Sequence, residues 1–226
     1  MKITMRILAI SILTISVGTL SAAAPYEDRK SAETNKAIHI LEMAVIMLNN
    51  VFENPGNGIP ESLVDQSEAI VIFPRAGQVA AGAFNGAGGK GIALIYNEDG
   101  VSSNPFFVTL HEGSLGFQIG PQTSDIVLLI KNKNDLLGLD HSSIILGGDV
   151  GIAAGPDGND SFSVTEHEFK TRIYSYHLNK GLFTGVNLKG AILGYSGKLD
   201  DSIYSDGSPN DDQVNELFFA LNMFGE

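Results

Sequence analysis

The chain has 226 residues, with 26 Asp and Glu against 14 Lys and Arg, a formal charge of -12, and no cysteine or tryptophan. At 43% hydrophobic and 18% charged residues it can bury a sizeable core as one domain, which excludes a disordered chain. The acidic balance excludes nucleic acid as the main partner, because phosphate backbones need a basic footprint. The missing cysteines exclude disulfides, thiol nucleophiles and Cys-ligated zinc.

Lys2 and Arg6 precede an uncharged stretch, Ile7 to Leu20, and then Ser21-Ala22-Ala23-Ala24-Pro25, the three-part layout of a secretory signal peptide. The apolar stretch is short of the roughly 20 residues that cross a bilayer. Cleavage is expected after Ala23, leaving residues 24–226 as a single domain. This removes two cations and no acid, so 12 cations face 26 acids and the charge becomes -14. The expected location is the periplasm or cell envelope.

From Ala37 the apolar residues Ala37, Ile38, Leu41, Ala44, Val45, Leu48, Val51 and Phe52 follow one helical face. Ile40, Met43, Ile46 and Met47 widen that stripe, which predicts burial against the rest of the domain. Asn54-Pro55-Gly56 ends this helix, and a short second one is expected from Pro60 to Gln66, with Pro60 at its first position. From Ala69 the pattern changes to short β-rich runs between glycine, proline and Asn/Asp turns. Strands are expected at 69–73, 79–84, 91–96, 106–111, 115–119, 126–130, 144–153, 163–168, 171–178, 184–193 and 203–204, with a turn of helix near 134–137. Val214, Leu217, Phe218, Leu221 and Phe224 mark a last helix, with Ser208-Pro209 suited to its start. The fold class expected is α+β: N-terminal helices packed on a large, curled antiparallel or barrel-like sheet, with a C-terminal helix covering one end. Asp200, Asp201, Asp206, Asp211 and Asp212 read as a solvated surface.

Gly86-Ala87-Gly88-Gly89-Lys90-Gly91 satisfies the G-x-G-x-x-G string of dinucleotide sites but not its context. That motif needs a helix after the glycines, whereas Ile92 to Tyr96 reads as a strand. A P-loop fails as well, since Phe84 and Gly91 replace its first glycine and its Ser/Thr. Glu166-His167-Glu168 alternates across a strand and has no zinc spacing. Gly113-Ser114-Leu115-Gly116 is not a nucleophile elbow, and His39, His111 and His141 are scattered. An enzyme, which would have to draw on these histidines, Asp149 or Asp157, is not expected, nor is a metal or cofactor.

Several blocks in chain order resemble the SYLF-domain family. They are Ala69-Ile70-Val71-Ile72-Phe73-Pro74, Gly86 to Ile92, Gly113 to Gly120 followed by Asp125 to Leu129, Gly155-Pro156-Asp157-Gly158, and Tyr174-Ser175 through Gly181-Leu182-Phe183-Thr184-Gly185-Val186. With the preceding helix the likeness spans residues 37–205. The resemblance implies a non-enzymatic domain associated with phospholipid, linked in eukaryotic members to phosphoinositides and actin; actin is not expected as the partner of an exported protein. Where the family carries a tryptophan, this chain has Ser102. Arg75, Lys90, Lys131 and Lys133 are the expected headgroup contacts, followed by Arg172 and Lys180, and Phe106 and Phe117 are the expected apolar contacts. The alternative is an envelope protein-interaction module without direct lipid function.

Overall fold

The computed structural model describes residues 26–52, 58–78, 87–97, 100–101, 104–111, 124–139, 143–156, 169–179, 182–205, 208–209 and 212–222. The expected signal peptide, the strands expected at 79–84, 115–119 and 163–168, Phe117 and Lys180 lie outside these residues.

Helix α1 runs from Tyr26 to Phe52, starting well before the apolar stripe that announced it. Ala37, Leu41, Ala44, Met47 and Leu48 on that stripe are at most 1% exposed. The width of the stripe therefore reflects burial on the domain; Ile46 is its exposed large residue, at 53%. The N-terminal extension is carried by Glu, Arg, Lys and Ala, good helix formers that leave no apolar period to read. A short α2 (Glu61–Asp65) follows, with Pro60 as its N-cap rather than its first helical residue.

The strands are β1 (Ala69–Gln78), β2 (Ala87–Asn97), β3 (Gly100–Val101), β4 (Phe106–His111), β5 (Ser124–Ile130), β6 (Ser143–Ile145), β7 (Ile152–Ala154), β8 (Ile173–Asn179), β9 (Leu182–Gly185) and β10 (Ile192–Tyr195). They form one sheet in the order β6-β10-β4-β2-β1-β5-β8-β7, with β3 on β2 and β9 on β8. The ladders are antiparallel except β7 with β8, so the sheet is mixed where an antiparallel one was expected. The runs expected as single strands at 144–153 and 184–193 are each broken in two by a turn, and a 3-10 turn (Lys133–Asp135) replaces the helical turn near 134–137.

Both faces of this sheet are apolar. Ile70, Ile72, Ile92, Leu94, Phe107, Val127 and Leu129 pack under the helices, while Val71, Phe73, Val108, Leu110, Leu128 and Leu193 fill the concave side. Burial on both faces explains why β1 and β5 read as continuous apolar runs rather than alternating ones. The sheet curls until one turn spans its two ends. At one end Leu146 N donates to Ala191 O (2.9 Å), and at the other Ile173 N donates to Gly151 O (3.0 Å). A bridge between Leu146 and Val150 joins the turn to itself. The result is a half-barrel drawn nearly shut along this seam.

Gly155-Pro156, Tyr174-Ser175 and residues 182–186 of the family-like blocks meet beside the seam, around β8. Ser175 O accepts from Gly155 N (3.1 Å) and Val186 N (3.0 Å), while its buried hydroxyl donates to Val186 O at 2.6 Å. The Tyr176 ring lies against Gly155, and its hydroxyl donates to Pro156 O (3.1 Å). A side chain at Gly185 would overlap the Gly155 backbone. These signature residues are therefore occupied in joining strands.

Near the C-terminus, α3 (Gly197–Ile203) was not expected; it leads into a small ribbon of β11 (Tyr204–Ser205) and β12 (Ser208–Pro209), and then α4 (Asp212–Asn222). Ile203 thus ends a helix rather than pairing in a strand, and Ser208-Pro209 lies in a strand rather than at a helix start. Val214 and Phe218 of α4 are buried as the spacing predicted. Asp200 departs from the solvated reading: it is 6% exposed and accepts from Phe107 N (3.0 Å), satisfying the first residues of β4.

Candidate anion-binding site

The expected ligand residues do not form one site. Lys131 and Lys133 follow β5, at the end of the sheet where Lys133 N donates to Glu68 Oε2 (3.0 Å). Ala69 pairs with both Ile130 and Ile95, so Lys90 lies five residues further along the sheet, roughly 17 Å away. Phe106 is half-buried on the concave side, its ring centroid 6.5 Å from that of Tyr195. Lys90 has the strand parity of Ile92 and Leu94 and faces α1 instead. Arg75 is exposed at a β-bulge with φ +52°, and its N–H donates to Asp125 Oδ1 (2.8 Å).

Lys90 does have company from residues the sequence reading passed over. Its Nζ stands 3.9 Å from Glu33 Oε2 of α1. Burial first, then the adjacent Lys36 ammonium, hold Lys90 below the ordinary lysine range; Glu33 pulls the other way and Lys198 adds to the lowering. Lys36 of α1 and Lys198 of α3 thus add repulsion to a Lys90 that is paired with one carboxylate. Thr34 Oγ1 on α1, 3.3 Å from Ser202 O on α3, fixes the two helices side by side. A cleft of about 310 Å³ opens on the same stretch of α1, lined by Lys30, Ser31, Thr34 and Asn35. Lys36 was missed because it precedes the apolar stripe, and Lys198 because α3 went unread; the Leu199 and Ile203 spacing was the available signal.

Other polar groups serve the fold. Arg172, expected as a headgroup contact, directs its fork at Asp135, with Nε donating to Oδ2 (2.9 Å) and Nη2 to Oδ1. Asp149 Oδ2 accepts from Ile145 N (2.7 Å), closing the outer edge of β6. His39, His111 and His177 stand on α1, β4 and β8, three separate elements. No group of three potential metal ligands occurs among the described residues. Gly88, Gly89 and Gly91 of the G-x-G string lie inside β2, which continues as a strand to Asn97 where a dinucleotide site needs a helix.

Tyr96 and Tyr204 are pushed above the ordinary phenol range by burial, Tyr204 also by Asp200 and Tyr195. The unfolded chain ionises both near pH 10 while the folded chain cannot, so their effect on stability is nil below that pH and unfavourable as pH rises through it. Thermal midpoints should hold to about pH 9 and fall steeply above about pH 10. Tyr96→Phe and Tyr204→Phe should each move that fall to higher pH; coincident curves for wild type and both variants would contradict the assignment.

Part of this chain is similar to a known family. Residues 111–214 match the sequence model of Ysc84, described as Las17-binding protein actin regulator. SH3 domain-containing protein PJ696.02 of Schizosaccharomyces pombe is 31% identical over 151 residues, which is 65% of this chain and 34% of the relative. LAS seventeen-binding protein 3 of Saccharomyces cerevisiae is 26% identical over 180 residues, 77% of this chain and 38% of the relative. SH3 domain-containing YSC84-like protein 1 of Rattus norvegicus is 25% identical over 216 residues, 89% of this chain and 62% of the relative. The chain therefore spans between about a third and three fifths of these relatives. Over residues 111–214 the chain is thus similar to the Ysc84 family, in line with the SYLF resemblance of its motifs.

Proposed function

We propose that this domain associates reversibly with phospholipid surfaces, after export to the envelope and removal of residues 1–23. What supports this reading is Lys90, 3.9 Å from Glu33 on the face of β2 that meets α1, with Lys36 and Lys198 near enough to repel it, in a chain whose overall charge is -12. Such a patch offers anionic headgroups a local attraction that the net charge would otherwise deny. It replaces the earlier choice of Lys131 and Lys133, and it does not need α1 to give up apolar residues already committed to the core. The expected result is co-flotation with anionic but not neutral vesicles, weakening as salt rises. Lys36→Glu with Lys198→Glu should reduce binding about tenfold or more. The comparison should be made on both the full chain and the chain beginning at Ala24.

A second reading follows from the family description, which assigns Las17 binding and actin regulation to related proteins. Here the domain would recognise an envelope protein. Purification with a stoichiometric protein partner, together with no flotation on either vesicle type, would select it.

A further inference from the structure

The end of the sheet away from Lys90 carries both signs of charge, sorted into two surfaces. On one, Lys131 N donates to Arg172 O (3.0 Å), with Lys133 and Lys170 each two positions away. Residues 131–135 and 170–172 hold these four cations and one acid, Asp135, whose carboxylate is taken by the Arg172 fork. The neighbouring Glu68 carboxylate accepts from Lys133 N. Lys131 and Lys170 are exposed and form no ion pair among the described residues. Leu137, two positions beyond Asp135, is 55% exposed.

The second surface lies beside the first. Ala69 pairs with Ile130 and Ile95, and Ala93 with Phe106, so the start of β4 is within about two residues' rise of Lys131. β4 and β5 are separated by β2 and β1, three strand spacings or roughly 14 Å. Asp200 on Phe107 N, and the Tyr204 hydroxyl donating to Pro105 O, fix α3 and β11 to that start. Residues 200–212 contain five aspartates and no cation, with Lys198 two positions before them; Asp201 and Asp212 are exposed. Phe218 of α4 lies against Tyr204 with ring centroids 5.6 Å apart, which brings its neighbour Phe219, 68% exposed, to this end as well. Phe219 and Leu137 are the two most exposed large hydrophobic residues among those described.

We infer that two copies of this chain pair through this end of the sheet about a two-fold axis, the Lys131 and Lys170 surface of each copy facing residues 200–212 of the other. This goes beyond the proposed function and uses none of its residues. Charge complementarity selects the partner: one surface offers uncommitted ammonium groups, the other a run of aspartates, and the same molecule carries both. An anionic membrane meeting this end would meet the aspartates together with the lysines and be repelled by them. Because the two surfaces lie side by side, one two-fold rotation brings both contacts together, and the assembly closes at two copies. Leu137 and Phe219 supply apolar contact inside the charged rim.

The test is sedimentation equilibrium of the full chain up to about 100 μM, where a weak interface is populated. A monomer–dimer equilibrium is expected, weakening about tenfold between about 50 and about 500 mM salt. Lys131→Glu with Lys170→Glu should weaken dimerisation about tenfold or more, with an unchanged thermal midpoint. Asp201→Lys with Asp212→Lys should weaken it as much. Asp212 opens α4, so Asp201→Lys alone is the second variant if the pair lowers the thermal midpoint. An equimolar mixture of the two charge-reversed chains should form a heterodimer, because the reversed surfaces then meet each other while the remaining contact stays native. Leu137→Ser should weaken dimerisation severalfold without changing its salt dependence.

Each variant is read against wild type, so any contribution of residues 1–23 is common to both. A wild-type chain that stays monomeric at low salt, masses that grow past two copies and collapse on charge reversal, or a mixture of reversed chains that stays monomeric would overturn the inference. Flotation on phosphatidylglycerol-containing vesicles separates this end from the site on β2. Dimerisation lost in Lys131→Glu with Lys170→Glu while flotation persists supports the two-fold pairing and leaves phospholipid association standing. Flotation lost in that variant, with the wild type monomeric, assigns these lysines to a membrane and ends the two-fold reading.

Discussion

Gly91→Ala should destabilise the domain by about 3 kcal/mol or more, at the upper end of what overpacking costs. A methyl group at this position would overlap the Ile72 carbonyl oxygen and stand 2.7 Å from Phe73 Cδ1. Ile72 is paired on both sides, with Ile92 of β2 and Val127 of β5, so its carbonyl cannot retreat without opening two central ladders. Gly138→Ala is the matched control. Nothing lies within 4 Å of its added methyl, and a change within about 0.5 kcal/mol is expected. Urea midpoints of the two variants read the comparison directly. If both behaved alike, the close approach of β1 and β2 would not be what requires glycine in the G-x-G string.

The second large effect is expected at the Arg172–Asp135 pair. The Asp135 side chain is only 2% exposed, whereas that of Arg172 is 54% exposed. Arg172→Met would strand a buried carboxylate, and the loss should be about 3 kcal/mol, the lower end of the range for breaking a buried pair because water still reaches the guanidinium side. Asp135→Leu combined with Arg172→Met should recover most of that loss, since neither charge is then left alone. Denaturant midpoints for the two single variants and the double variant complete the cycle. A double variant as unstable as the sum of the singles would show that the pair is not coupled. This pairing also explains how a basic residue chosen from sequence as a ligand contact came to have a structural duty.

The elements most legible in the sequence were those whose burial left a periodic mark. The stripe from Ala37 to Phe52 and the Val214–Phe218 spacing each report one face meeting a core, and the apolar run from Phe106 to Leu110 reports burial on both faces of the sheet. The start of α1 left no such mark, because residues 26–36 hold the helix by propensity and by the contact of Thr34 with α3. Breaks within the expected strands at 144–153 and 184–193 were hidden for another reason. Leu146, Val150, Leu188 and Ala191 are as buried as their strand neighbours, so apolar character continues through turns that fill the concave face.

The site was less legible than the fold. Composition identified Lys90 as one basic residue beside a glycine string, but a lysine becomes part of a site only through what surrounds it. Lys36 lies 54 positions earlier in the chain and Lys198 lies 108 positions later. Conversely, Lys131 and Lys133 are close to each other in sequence and belong to the far end of the sheet.

What the sequence by itself determined was the α+β class, the helix-then-strand order, the strand character of the G-x-G segment and the family likeness, all of which depend on local periodicity, turn chemistry or ordered motifs. Only the tertiary structure decided the parallel β7–β8 pairing, the near-closure of the sheet, the structural work of the signature residues around Ser175 and Tyr176, and the pairing of Lys90 with Glu33 of α1. Each of these joins residues far apart in the chain through backbone pairing, close packing or charge, and such forces depend on distance in space, to which local sequence spacing gives no access.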